Sequence, residues 1–169
     1  CCSAMMAASD LPVTVKCRIV IDDMDPETGL DQFVDLVADA GVRIFYLHAR
    51  KAWLKGLSPK ENRDIPPLDY DRARRLAMRR DDLGVILNGG LETKAQIATE
   101  ITGFAGVMLG RAAYRTPYIL TEIANDFFAA SPPSRRQVAE AMAAYADQMM
   151  ENHVPLHSIT RHMLGLYAG

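Results

Sequence analysis

Four short apolar runs alternate with longer amphipathic stretches over the first two thirds of the chain. The runs are rich in β-branched and aromatic residues, have the length of strands, and end in polar or glycine residues. They cover residues 12–18, 42–48, 84–90 and 106–111. Because apolar positions recur at helical spacing between them, the pattern predicts a parallel sheet whose strands are joined by right-handed helical crossovers.

Three helices are predicted between these strands. The second covers residues 70–78 with Asp69 as its N-cap, and the third covers residues 93–101. The first is predicted to stop near Gly41, where glycine favours helix termination. Its apolar positions share one helix face, and they are Leu30, Phe33, Val34, Val37 and Ala38.

The pattern becomes entirely helical after residue 111. Ser131-Pro132-Pro133 interrupts the helical periodicity, and a capping box from Ser134 to Gln137 opens the next helix. That helix carries an apolar stripe that is typical of a core, formed by Val138, Met142, Tyr145 and Met149. We therefore interpret residues 1–116 as an α/β domain and residues 117–169 as an all-helical domain.

Composition narrows the class of protein. The chain has 169 residues, of which 49% are hydrophobic, and no apolar run approaches the roughly 20 residues that span a bilayer. The cysteines are Cys1, Cys2 and Cys17, and they form no CxxC pair, so we expect no metal site and a reduced, cytoplasmic protein. Because the net charge is −2, contact with a nucleic acid must use local basic patches.

Each predicted strand ends in residues that can bind a ligand, and strand ends are where functional groups collect in parallel α/β proteins. They are Lys16 and Arg18, then His48, Arg50 and Lys51, then Asn88-Gly89-Gly90, and finally Gly110-Arg111. Two successive glycine-containing ends suit a phosphate, since glycine allows backbone N–H groups to approach an oxyanion. The alternative is that Gly89-Gly90 only makes a tight turn and that Lys16 and His48 are structural.

Residues 50–63 form a second candidate region, which we call the basic loop. It contains Trp53 and only one acidic residue, Glu61, and its basic residues are Arg50, Lys51, Lys55, Lys60 and Arg63. This composition fits polyanion binding and base stacking, although a solvated loop packed over Trp53 is the alternative. The next helix carries a row that we interpret as a solvated basic face, formed by Arg72, Arg74, Arg75, Arg79 and Arg80.

Seven motifs follow one another along the chain. They are VTVKCRI at 13–19, HARKAWL at 48–54, GLSPKENR at 56–63, IPPL at 65–68, NGG at 88–90, GVMLGRAAY at 106–114 and ITRHMLGL at 159–166. Together they resemble the tRNA-dihydrouridine synthases, and the A subfamily in particular. The resemblance implies that residues 1–116 are the C-terminal half of a TIM (β/α)8 barrel, strands 5 to 8, and that residues 117–169 are an incomplete helical tRNA-binding domain.

The resemblance also implies an FMN-dependent oxidoreductase. In that family NADPH reduces the flavin, and hydride passes to C6 of a D-loop uridine in tRNA, at positions 20 and 20a for this subfamily. The FMN-binding positions that it implies are Lys16, His48, Asn88, Gly89, Gly90, Gly110 and Arg111. The implied tRNA-contacting positions are Lys60, Arg63 and Arg161.

The chain also departs from the family pattern. Val20 stands where the family usually has glycine, and Ala105 stands where an acidic residue is common. The proton-donating cysteine of the family lies in an Asn-x-Gly-Cys-Pro segment that we expect upstream with the first four strands. No catalytic residue is therefore assigned in this chain, which we expect to be inactive and to self-associate through its open half-barrel. A non-catalytic remnant and another FMN-dependent barrel oxidoreductase remain open alternatives.

Overall fold

The computed structural model describes residues 1–167, and within them four parallel strands form one sheet. The strands are β1 (Val15–Arg18), β2 (Ile44–His48), β3 (Gly84–Asn88) and β4 (Gly106–Met108), and they lie side by side in chain order. The predicted α/β class and parallel sheet are therefore confirmed. β1 and β2 end where predicted, at Arg18 and His48, whereas β3 and β4 end earlier, at Asn88 and Met108. The two glycines that follow β3 have positive φ angles and lie outside the ladder.

Helices connect and follow the strands. In the described residues they are α1 (Cys2–Ala8), α2 (Pro26–Asp39), α3 (Glu61–Asp64), α4 (Tyr70–Arg79), α5 (Lys94–Glu100), α6 (Arg111–Arg115), α7 (Ile119–Phe128), α8 (Arg135–Glu151) and α9 (Leu156–Thr160). The predicted N-cap is confirmed, because the Asp69 carboxylate accepts the Arg72 N–H at 2.8 Å. The capping box of Ser134 and Gln137 is confirmed at the start of α8. None of the helices that residues 1–167 form has the length and apolar character needed to cross a bilayer.

The chain divides into two compact units. The first contains Cys1–Leu91 with Ile97–Met108, and hence the whole sheet. The second contains Glu92–Gln96 and the residues from Leu109 onward. The boundary at residue 116 that the sequence suggests stays a prediction, and Ala168 and Gly169, at the end of the predicted helical domain, lie outside the described residues.

One face of the sheet forms the core of the first unit. Alternate residues of β2 and β3 are almost fully buried on that face, and they are Phe45, Leu47, Val85 and Leu87. α2 and α4 cover the core with their own buried residues, which are Leu30, Val34, Ala38, Ala73 and Leu76. Burying each large apolar side chain contributes about 1.5–3 kcal/mol, so this face is the main source of stability.

The arginines of α4 form an ion-pair layer, so the prediction of a solvated basic face was wrong. Arg72 is only 1% exposed and donates to the Asp31 carboxylate at 2.5 Å and to the Pro26 carbonyl at 2.8 Å. The other arginines pair as follows: Arg75 with Glu27, Arg79 with Asp31 and Asp35, Arg80 with Asp35 and Asp82, and Arg74 with Glu100. The reason is that α2 presents carboxylates at helical spacing toward α4, which the pattern of α4 alone cannot reveal.

Helices α6 to α9 belong to the second unit. The Arg135 guanidinium lies over the Tyr118 ring, 4.3 Å from its centroid, and donates to the Leu166 carbonyl at 2.7 Å. The predicted apolar stripe of α8 is half-buried at three positions, but Tyr145 is 47% exposed. Ala146 takes the buried place instead, because α8 turns that side toward its neighbours.

Candidate functional site

Polar side chains share one face of the sheet near the carboxyl ends of its strands. The ladder aligns Lys16 with Tyr46, Arg18 with His48, and His48 with Asn88. Aligned residues of parallel strands present their side chains to the same face, and here that face is opposite the buried core. The structure thus brings three predicted residues, Lys16, His48 and Asn88, onto one surface. It adds Tyr46, which the strand alternation could have identified from its spacing of two from His48.

The side chains of this row differ in how firmly they are held. Asn88 is half-buried, and its amide donates to the Met108 carbonyl at 2.8 Å, which orients it across β3 and β4. His48 is also half-buried, whereas the Lys16 side chain is exposed. The row therefore offers an exposed cation beside two half-buried polar groups, a combination that can bind a polar, negatively polarised ligand.

Gly89 and Gly90 form a turn that only glycine fits. Their φ angles are +110° and +69°, in the left-handed region that other residues rarely adopt. A Cβ on Gly89 would stand 2.5 Å from His48 Cδ2, and one on Gly90 would stand 3.0 Å from the Tyr70 hydroxyl oxygen. That hydroxyl donates to the Gly89 carbonyl at 2.6 Å, a contact that sequence reasoning missed. The tight turn is therefore present, and phosphate binding by these glycines stays a prediction.

Gly110 and Arg111 belong to the second unit, so their placement beside the row stays a prediction. Gly110 is exposed and is the N-cap of α6, and an added Cβ there would meet no atom within 4 Å. Arg111 is half-buried as the first residue of α6.

Three basic side chains near the strand ends bind the chain's own backbone. Arg18 Nη1 donates to the carbonyls of Lys51 and Asn62 at 2.8 and 2.7 Å. Arg50 donates to backbone carbonyls at the end of α3 and beyond it, and Lys51 Nζ donates to the Met24 carbonyl at 3.1 Å. The basic loop is therefore built partly by its own cations, a role that its composition did not indicate.

The other cations of the basic loop face solvent. Lys55, Lys60 and Arg63 are all exposed, and so is Arg161 at the end of α9. Arg161 Nε donates to His162 Nε2 at 3.2 Å. The structure thus places Lys60 and Arg63 on one short segment that includes α3, while Arg161 lies in the second unit.

The electrostatics of the strand ends favour an anion. Burial lowers the pKa of Arg18, and the positive charges of Arg50 and Arg63 lower it further. Like charges that depress one another's protonation produce a positive local potential, which an anionic ligand would relieve. In residues 1–167 no group of three or more His, Cys, Asp or Glu side chains is arranged to hold a metal ion.

An apolar cavity of about 330 Å³ lies between β1 and α2. Its lining includes Cys17, Val20, Met24 and Phe33. Burial raises the pKa of the Cys17 thiol to about 11, so this thiol is a poor nucleophile at neutral pH. Val20, the departure from the family pattern, is buried against Gly29, where an added Cβ would stand 3.0 Å from Val20 Cγ1. Val20 therefore packs on α2.

Comparison with known proteins identifies relatives over the whole chain. The family model described as dihydrouridine synthase (Dus) matches residues 1–169. The chain is 45% identical to a tRNA-dihydrouridine(20/20a) synthase of Vibrio vulnificus, over 99% of the chain and 52% of that protein. It is 44% identical to one of Xanthomonas campestris, over 100% of the chain and 50% of that protein. The chain thus spans about half the length of the curated relatives that it matches.

Proposed function

Because the chain belongs to the dihydrouridine synthase family, we propose that it is half of a flavin-dependent tRNA-dihydrouridine synthase. Its substrate is tRNA, and its targets are the D-loop uridines 20 and 20a, the positions in the names of its relatives. The structural observation that best supports the proposal is the row of Lys16, His48 and Asn88 on one sheet face. A cytoplasmic location follows from the substrate.

In this proposal the sheet is half of a TIM barrel. Residues 1–116 supply strands 5 to 8, and residues 117–169 supply a helical domain that binds tRNA. Two features support the barrel: the strands are parallel and in chain order, and the polar row lies toward their carboxyl ends, where barrel enzymes hold their ligands. The other half-barrel pairs with both outer strands, β1 and β4, and a second copy of the chain takes that place when the other half is missing.

The polar row fits FMN, which when bound accepts electrons from NADPH and supplies hydride to C6 of the target uridine. The exposed Lys16 ammonium stabilises negative charge on the ring, and His48 and Asn88 donate hydrogen bonds to it. Gly89, Gly90 and Gly110 expose backbone N–H groups to the phosphate, and the Arg111 guanidinium binds it with two donors. These assignments agree with the donor chemistry and burial of the first-unit residues.

This chain supplies no proton donor in the proposal. Cys17 alternates with Lys16 and Arg18 along β1, so its side chain lies on the opposite face, and its pKa is raised to about 11. The proposal assigns protonation of C5 to the cysteine of the Asn-x-Gly-Cys-Pro segment that is typical of the family. Lys60, Arg63 and Arg161 contact the tRNA backbone, and the target base leaves the stack to reach the flavin.

The proposal is tested by restoring dihydrouridine to tRNA. A strain that lacks the gene receives the protein that carries this chain, and tRNA nucleosides are analysed by mass spectrometry for dihydrouridine at positions 20 and 20a. We expect restoration by the wild type and strong loss with Lys16→Ala. A flavin-containing protein that restores nothing indicates a different barrel oxidoreductase, and a protein without flavin indicates a non-catalytic remnant.

A matched pair of variants tests the phosphate site. Arg111→Ala is expected to weaken FMN binding by about 1.5–3 kcal/mol, the cost of a charged hydrogen bond. Arg136→Ala removes an exposed guanidinium paired with Glu140 on α8 and should leave flavin retention unchanged. Equal retention in the two variants would remove Arg111 from the site.

A further inference from the structure

The side chain of Asn62 closes the basic loop on itself. Its Oδ1 accepts the N–H of Trp53 at 2.7 Å, and its Nδ2 donates to the Trp53 carbonyl at 2.7 Å. One amide side chain thus pairs with both backbone groups of a residue nine positions away, as a neighbouring strand would. The same Nδ2 lies 3.3 Å from the Leu57 carbonyl, so the amide also restrains the middle of the loop.

The backbone of Asn62 is tied to the sheet at the same point. Its carbonyl accepts from Arg18 Nη1 at 2.7 Å, and its N–H donates to the Ser58 carbonyl at 3.0 Å. Arg18 is the last residue of β1, so the closed loop is anchored directly to a strand end of the polar row. The amide and this anchor together hold the loop at its ends and at β1.

Lys60 and Arg63 flank Asn62 and are exposed, whereas Asn62 itself is half-buried and carries no charge. We propose that Asn62 is a positioning residue: its amide closure presents Lys60 and Arg63 together to the tRNA phosphates. The inference rests on the proposed function and deepens it. A preorganised loop binds more tightly because it loses less conformational entropy when the ligand arrives.

The chemistry of the closure requires an asparagine. Aspartate has the same shape but cannot donate to the Trp53 carbonyl, and its charge would repel that oxygen. Alanine removes both hydrogen bonds. Both variants should therefore open the loop, Asn62→Ala by loss of both hydrogen bonds and Asn62→Asp by loss of the donated one.

Trypsin reports directly on the loop, because Lys55, Lys60 and Arg63 are cleavage sites within it. In the protein that carries this chain, we expect cleavage at these sites to be at least about 10-fold faster in both Asn62 variants than in the wild type, as local opening becomes easier. Asn125→Ala is the control, since it removes an exposed asparagine amide that bonds only to neighbouring Asp126 in the described structure. Circular dichroism verifies that each variant is folded.

Steady-state kinetics separate positioning from general damage. In Asn62→Asp we expect KM for tRNA to rise about 3- to 10-fold, while kcat and the rate of flavin reduction by NADPH stay at the wild-type level. The effect should largely disappear when Lys60 and Arg63 are both alanine, because nothing then remains to be positioned.

Different results would contradict the role of Asn62 and the proposed function. Unchanged trypsin cleavage in folded Asn62 variants would overturn the closure, whatever the enzyme does to tRNA. A KM effect that persists without Lys60 and Arg63, or a fall in kcat alone, would overturn the positioning role. Absence of dihydrouridine formation by the wild type would instead overturn the proposed function, with the cleavage result still standing.

Discussion

The ring of His48 packs directly on the backbone of Gly89. A Cβ added to Gly89 would stand 2.5 Å from His48 Cδ2 and 2.8 Å from Nε2. The Ala49 N–H donates to the Asn88 carbonyl at 2.9 Å, so hydrogen bonding to β3 continues one residue past the end of β2. The position of the His48 ring therefore depends on a glycine of the neighbouring strand end.

Gly89→Ala should reduce stability and displace His48. The variant combines a φ of +110° with a steric clash, and we expect it to lower the free energy of unfolding by about 1–3 kcal/mol. Gly106→Ala is the control, because its added Cβ meets no atom within 4 Å, and its stability should be unchanged or slightly higher. Urea unfolding measures both. Equal unfolding midpoints would show that the packing of His48 on Gly89 is not restrictive.

Removal of the buried Arg72 should destabilise the fold more than removal of an exposed arginine from the same ion-pair layer. Arg72→Ala removes a buried guanidinium with its ion pair to Asp31 and its hydrogen bond to the Pro26 carbonyl, so the free energy of unfolding should fall by about 1.5–3 kcal/mol. Arg75→Ala breaks the pair with Glu27, in which both side chains are 53% exposed and screened by solvent, and should cost clearly less than Arg72→Ala. Denaturant titration of the two variants gives the comparison. Similar losses in the two variants would mean that burial of the guanidinium does not determine how much each ion pair stabilises the fold.

The ion pairs of Asp35 with Arg79 and Arg80 should make the stability of the fold depend on pH. A hydrogen bond from Arg79, and then one from Arg80, lower the pKa of Asp35 below its ordinary value. Since the folded pKa is below the unfolded one, the carboxylate stabilises the fold above about pH 4, and this stabilisation is lost as the pH falls through the folded pKa. Asp35→Asn should flatten the acid side of the stability curve between about pH 5 and pH 2.

Thermal unfolding across that pH range is the measurement. Asp39→Asn provides the control, because Asp39 forms no ion pair within the part of the chain that the structure describes. A steep acid transition that survives in Asp35→Asn would assign the pH dependence to other carboxylates.

Cys17 should resist alkylation in the folded protein. Because the thiolate is the reactive form and burial raises the pKa to about 11, iodoacetamide at pH 8 should modify Cys17 on the order of 100-fold more slowly than in the urea-unfolded chain. The exposed Cys1 serves as an internal reference in both samples, and peptide mass spectrometry follows the two sites. Rapid modification of Cys17 without unfolding would mean that β1 opens readily at its cavity.

Much of the local structure could be predicted because its signals are short-range. The strand runs, the N-cap at Asp69 and the capping box at Ser134 depend on neighbours within a few residues, and all are confirmed. The family resemblance is also confirmed, since it depends only on residue order. The short helices α1 and α3 were not predicted, because one or two turns give too little periodicity to recognise.

The sequence by itself determined the class of fold, the order of the strands and the polar residues that follow them. Only the tertiary structure decided what each basic side chain contacts. Arg72 is buried between helices, whereas Arg18 and Arg50 donate to backbone carbonyls. Lys60 and Arg63 face solvent. The physical reason is that secondary structure is set by local spacing, whereas the partner of a long charged side chain is set by which distant element packs beside it. An arginine carries the same charge in every sequence pattern, and only its neighbours in space determine its role.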